Sequence, residues 1–134
     1  MKIRTTVVCL PIRDAAAAAA FYRKALGLKL QVEAGMVTIE LPNLTLFLME
    51  REAFEGYSRK ARRAAQLPSA GATGVIVSCA MESKADVDAV LRNVPKHGGS
   101  VPGAAAVDPA SGGYIGYFAD PEGHLWELVY PQPR

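Results

Sequence analysis

A chain of 134 residues with 50% hydrophobic and 21% charged side chains has room for one compact domain, or for two halves too small to hold separate cores, and it is too apolar to be disordered. Its formal net charge of +2 is too small to mark a nucleic-acid partner, which requires basic residues gathered on one surface. No apolar run approaches the roughly 18 residues of a membrane span, so neither nucleic acid nor membrane is expected as a partner.

Lys2 and Arg4, followed by Val7 to Ile12 and six consecutive alanines, imitate a secretion signal. Pro11, Arg13 and Asp14 interrupt the apolar stretch, so these residues are read as mature protein. Thr5 to Leu10 is β-branched and apolar and reads as a strand closed by Pro11. Asp14 is placed to cap a helix that the alanines propagate and Gly27 ends, with Tyr22 and Leu26 on one face. Arg13, at the strand-to-helix corner, reads as a surface charge. Leu28 to Val32, Met36 to Leu41 and Leu44 to Met49 read as three strands, with Ala34-Gly35 and Pro42-Asn43 as turns.

Residues 51–73 form a charged and then Ser/Gly/Ala-rich connection, with a short helix across Arg59, Lys60, Arg62 and Arg63, a basic cluster expected to be a solvated face. The pattern then restarts. Val75 to Met81 is a strand, Lys84 to Val94 a helix with Val87, Val90, Leu91 and Val94 on one face, and Gly98-Gly99 its terminator. Ser100 to Val101, Tyr114 to Ala119 and Leu125 to Tyr130 supply three further strands, the first two separated by the Gly/Ala/Pro-rich loop 102–113. Pairing Asp14 with Glu82 gives an offset of 68, and pairing Pro42 with Pro121 an offset of 79; the longer second loop absorbs the difference. The chain therefore reads as a duplicated β-α-β-β-β module, 1–50 and 74–134, joined by 51–73. Cys9 and Cys79 lie in apolar strands without a CxxC or a His-rich neighbourhood, as buried thiols of a reducing, cytoplasmic setting would. Asn43-Leu44-Thr45 has the form of a glycosylation sequon and reads as a polar turn.

This order of elements, with FYRKALGLKL at 21–30 and YFADPEGHLWELVY at 117–130, resembles the vicinal oxygen chelate superfamily, which holds glyoxalase I, extradiol dioxygenases, fosfomycin-resistance enzymes and bleomycin-resistance binding proteins. It is most similar there to the small proteins labelled as predicted lactoylglutathione lyases. The resemblance implies an α+β fold in which two β-α-β-β-β modules form a curved, eight-stranded, open barrel-like sheet. Helices would lie on its convex side and a ligand cavity on its concave side, usually within a homodimer. Asp120-Pro121-Glu122-Gly123 has the chemistry of a tight turn that sets the register of the last strand.

The metal-dependent members hold a divalent ion with His or Glu side chains on the first, fourth, fifth and eighth strands. Carried over by position, the last ligand falls on Glu127, the fourth-strand ligand on Leu48, the first on Val7 and the fifth on Val75 or Ile76. With three of four positions aliphatic, no metal and no other cofactor is expected, and the chain is not expected to be a metal-dependent glyoxalase. Alternation puts Leu125, Glu127 and Val129 on one face of the last strand, and a carboxylate facing an apolar cavity needs a raised pKa or a hydrogen-bonding partner.

The expected function is binding of a small, largely apolar molecule in a cavity lined by Val7, Cys9, Leu46, Leu48, Leu125, Glu127 and Val129. Tyr114 is added, with Tyr117 on the opposite face of the same strand, so that at most one of the two lines the cavity, and Phe54 and Tyr57 are added as aromatics able to fold over the mouth. Two other functions fit the residues: a lyase, isomerase or dioxygenase with Glu127 as catalytic base or with a non-standard metal site, and a dimeric structural or regulatory protein with a collapsed cavity. His124 is expected to be solvent-exposed or bonded within the turn. His97 sits at a helix end, where the helix dipole favours it.

Overall fold

The computed structural model describes residues 1–63 and 74–132. The chain divides into two compact units, one carrying each β-α-β-β-β module. The fold class is α+β, as expected, and the eight strands form two four-stranded mixed sheets, neither of which closes on itself.

In the first unit the order is β1 (Val7–Ile12), α1 (Ala15–Leu26), β2 (Leu30–Glu33), β3 (Met36–Leu41), β4 (Leu44–Glu50) and α2 (Arg51–Lys60). The side chain of Asp14 accepts the Ala17 N–H at 3.1 Å and starts α1, while Gly27, at φ 66°, ends it. The Leu28 N–H still bonds back to the Tyr22 carbonyl, so the cap takes up the residue expected to open β2, and that strand begins at Leu30. Both residues of the Ala34-Gly35 turn have positive φ, 49° and 77°, as a two-residue hairpin between right-twisted strands demands. Glu50, at the end of β4, turns back to accept the Ala15 N–H at 2.9 Å and so satisfies an orphan donor at the start of α1.

The sheet order is β1-β4-β3-β2, with β1 parallel to β4 and the other pairs antiparallel. Cross-strand partners share a face. One face therefore carries Leu10, Ile12, Val37, Ile39, Leu46 and Leu48, all essentially buried. The other carries Val7, Cys9, Thr38, Thr45, Phe47 and Met49. α2 packs on β1 and β4 and covers the Met49 end of that second face. It ends at Lys60, short of Arg62 and Arg63. Residues 64–73, the Ser/Gly/Ala-rich part of the expected connection, lie outside the described residues.

The second unit runs β5 (Ile76–Ala80), α3 (Lys84–Asn93), a 3₁₀ turn (Val94–His97), β6 (Ala106–Val107), β7 (Tyr114–Ala119) and β8 (Leu125–Tyr130), in sheet order β5-β8-β7-β6. Ser83 Oγ accepts the Asp86 N–H and caps α3. The expected strand at Ser100–Val101 shrinks to a single bridge between Ser100 and Ala119, because Pro102 carries no N–H with which to extend a ladder; Ala106–Val107 pairs with β7 in its place. α3 packs on β7 and β8 and buries Val87 and Leu91 on the same side as Val77, Gly116, Phe118, Trp126 and Leu128.

The β7–β8 connection is residues 120–124, closing between Ala119 and Leu125. Its organiser is Asp120, whose Oδ1 accepts the N–H groups of both Glu122 and His124 at 2.9 Å while its own N–H donates to the His124 carbonyl. The turn does set the strand register. Of the two settings expected for His124, the structure has the second: its backbone is bonded to Asp120 within the turn, and it is only 2% exposed rather than facing solvent.

Candidate functional site

The second sheet has one face under α3 and one face open. From Leu125 to Val129 the burial alternates: Trp126 and Leu128 are buried, whereas Leu125, Glu127 and Val129 are partly accessible. The ladder places Ser78 of β5 on one side of Glu127 and Tyr117 of β7 on the other. Both hydroxyls donate to the carboxylate, Ser78 Oγ to Oε1 at 2.7 Å and Tyr117 OH to Oε2 at 2.5 Å. Ser78, Glu127 and Tyr117 thus form one row across three strands.

These bonds decide the electrostatics. The Tyr117 hydroxyl, then that of Ser78, hold Glu127 below the usual carboxylate range, outweighing the opposing effects of desolvation and the charge of Asp108. The carboxylate in turn pushes the Tyr117 phenol up, chiefly through the hydrogen bond. Of the two outcomes expected for Glu127, a raised pKa or a bonding partner, the structure has the partner. Because its folded pKa is depressed, Glu127 contributes stability above its unfolded pKa, and this is lost as pH falls through the folded value. Tyr117, with its pKa raised, contributes below its unfolded value and loses that contribution as pH rises through the folded one. Spectrophotometric titration of phenolate absorbance checks the pair: Glu127→Gln is expected to bring one tyrosine ionisation back toward its ordinary position. An unchanged tyrosine titration would refute the coupling.

Tyr114, expected to face the cavity, lies on the α3 side, where its hydroxyl donates to Asp88 at 2.6 Å and its ring sits beneath the Lys84 ammonium. Alternation along β7 makes Tyr117 the open-face tyrosine. Glycine at 116 lets the helix approach so closely that a Cβ there would stand 2.6 Å from Leu91 Cδ1.

In the first unit Val7 and Cys9 share a face, but Leu46 and Leu48 are on the opposite one, at 0% exposure. The expected lining therefore divides between two faces of the sheet. The residue in the register of Glu127 is Phe47, flanked by buried Leu46 and Leu48 as Glu127 is by Trp126 and Leu128, and paired with Cys9 and Thr38 where Glu127 is paired with Ser78 and Tyr117. Counting six residues from the hairpin prolines reaches Leu48, one residue past Phe47 and therefore on the buried face. Burial pushes the thiols of Cys9 and Cys79 up, which keeps both protonated and unreactive at neutral pH. Phe54 is half-buried on α2, and Tyr57 lines a groove of about 430 Å³ with Met36, Met49, Ala53, Gly56 and Lys60.

Among the described residues no three His, Cys, Asp or Glu side chains come together as ligands for one ion, and no helix is long and apolar enough to cross a membrane.

Comparison with known proteins places this arrangement. A glyoxalase-related enzyme from Fulvimarina pelagi has a TM-score of 0.78 at 21% identity, covering 95% of this chain and 87% of its own. A hypothetical protein from S. aureus has a TM-score of 0.78 at 24% identity, covering 97% and 94%. A lactoylglutathione lyase from Agrobacterium tumefaciens has a TM-score of 0.65 at 23% identity, covering 95% and 92%. At these identities the likeness establishes the fold. No curated protein matches the chain. The family model described as Glyoxalase/Bleomycin resistance protein/Dioxygenase superfamily matches residues 4–128, and the chain belongs to that superfamily.

Proposed function

We propose that this member of the superfamily binds a small, largely apolar molecule on the open face of its β8 sheet, without a metal ion, using Glu127 as the polar anchor. The observation that carries this reading is the state of Glu127. Its two oxygens are occupied by neutral hydroxyls from Ser78 and Tyr117, and the residues beside it along β8 on the same face are Leu125 and Val129. A divalent ion of the kind the metal-dependent relatives hold needs imidazole or carboxylate donors, and this donor set does not fit it. A sheet face that sets one well-held polar group between apolar side chains suits an organic ligand.

The lowered pKa also separates binding from general-base catalysis. A carboxylate held below its usual range by two donors is a weak proton acceptor at neutral pH, whereas a general base works best with a pKa near the operating pH. A homodimer belongs to the same reading, as the resemblance to the superfamily implies.

Thermal unfolding of chelator-treated protein against a panel of small aromatic and aliphatic amphiphiles tests the proposal. A ligand at about 100 times its dissociation constant stabilises the fold by roughly 2.7 kcal/mol. The expected result is stabilisation by some members with chelator present, abolished in Glu127→Leu. Stabilisation that appears only when a divalent ion is restored would overturn it.

A further inference from the structure

Resting on the reading of Glu127 as a ligand anchor, we infer that the Ser78–Glu127–Tyr117 row selects ligands that donate hydrogen bonds, a protonated amine on an apolar body being the best fitted class, and discriminates against carbonyls and anions.

The hydrogen-bond inventory of the row supports this. Serine and tyrosine each have one O–H proton, and both protons are committed to Glu127. Ionised glutamate has no proton to give. The row therefore holds no donor for a ligand, but it has acceptor capacity to spare: of roughly four lone-pair sites on a carboxylate, two are used. The hydroxyl oxygens add lone pairs of their own. The row is reachable, since Ser78 is exposed and Tyr117 is 38% exposed.

The surroundings act in the same direction. Asp108 lies close enough for its charge to be felt by both Glu127 and Tyr117. Its own carboxylate is held ionised by the Ser111 hydroxyl and by the N–H groups of Ala110 and Ser111. No lysine or arginine among the described residues forms an ion pair with Glu127 or Asp108. A carbonyl or carboxylate placed on the row would meet lone pair against lone pair and leave its own acceptor unpaired; an ammonium would meet acceptors and negative charge.

Three probes of similar size separate the cases: phenethylamine as donor, acetophenone as neutral acceptor and phenylacetate as anionic acceptor, each titrated calorimetrically into the full chain at neutral pH. The expected result is phenethylamine binding roughly tenfold or more tightly than either of the others, the scale of one charge-assisted hydrogen bond. Glu127→Gln, which adds N–H donors, is expected to collapse that preference, while Tyr117→Phe, which leaves the carboxylate in place and frees one of its lone pairs, preserves it. Acetophenone or phenylacetate binding as tightly as the amine would overturn the donor selection and leave the anchor reading standing. Failure of all three probes to bind would overturn the anchor reading, and the selection with it.

Discussion

Trp126→Ala is expected to destabilise the second unit by about 3–5 kcal/mol. Trp126 is 1% exposed and stacks on Phe118, its cross-strand partner, with ring centroids 5.7 Å apart and planes 13° from parallel. Its other strand neighbour is Val77, also buried. Removing the indole deletes the largest fully buried side chain of the fold and leaves a void that a sheet pinned between α3 and its own ladder cannot close. The aromatic pair adds roughly 0.5–1.5 kcal/mol beyond area burial, so Trp126→Phe should retain much of what alanine loses. Urea unfolding followed by circular dichroism checks both variants, because the chain has one tryptophan and fluorescence cannot be compared across them. An alanine variant with the wild-type midpoint would show that α3 and β8 are not tightly packed.

Gly116→Val probes the same interface from the side of excess volume. A Cβ at this position would stand 2.6 Å from Leu91 Cδ1, 3.2 Å from Ala105 Cβ and 3.3 Å from Val87 Cγ1. The tip of Leu91 can swing away, which makes alanine the milder change. The branched methyls of valine press on Val87 and Ala105 as well, and neither has a flexible end to move. Overpacking of this kind costs about 1–3 kcal/mol, read as a lowered denaturation midpoint for valine with alanine between it and wild type. Valine unfolding no earlier than wild type would mean that the helix stands off the sheet farther than Gly116 implies.

How much of this was legible in the sequence differs between fold and site, for physical reasons. Helix starts and stops were readable because they are local chemistry: Asp14 and Gly27 do in the structure what their residue types dictate. The duplicated module was readable because element order survives divergence. Strand faces within β8 were readable from alternation, which is why Leu125, Glu127 and Val129 fall together.

Pairing between distant strands was not readable. The β7–β8 register that brings Tyr117 to Glu127 follows from the turn at 120–124, but Ser78 meets Glu127 only through the parallel β5–β8 register, which depends on connections whose lengths carry no period. The same cause misplaced the first-unit counterpart of Glu127 by one residue, and in a sheet one residue exchanges the faces. The signal that could have found Phe47 was alternation, since its neighbours Leu46 and Leu48 have the apolar character of a buried face and leave Phe47 on the other. Tyr117 could have been preferred to Tyr114 by noticing that Gly116 and Phe118, which alternate with it, suit the helix-covered side.

In the proposed function Glu127 anchors an organic ligand and is not a metal ligand. The most direct measurement is a calorimetric titration of chelator-treated wild-type protein and Glu127→Gln with zinc and with nickel. No stoichiometric binding to either protein is expected. One ion bound per chain by the wild type and lost in Glu127→Gln would contradict it.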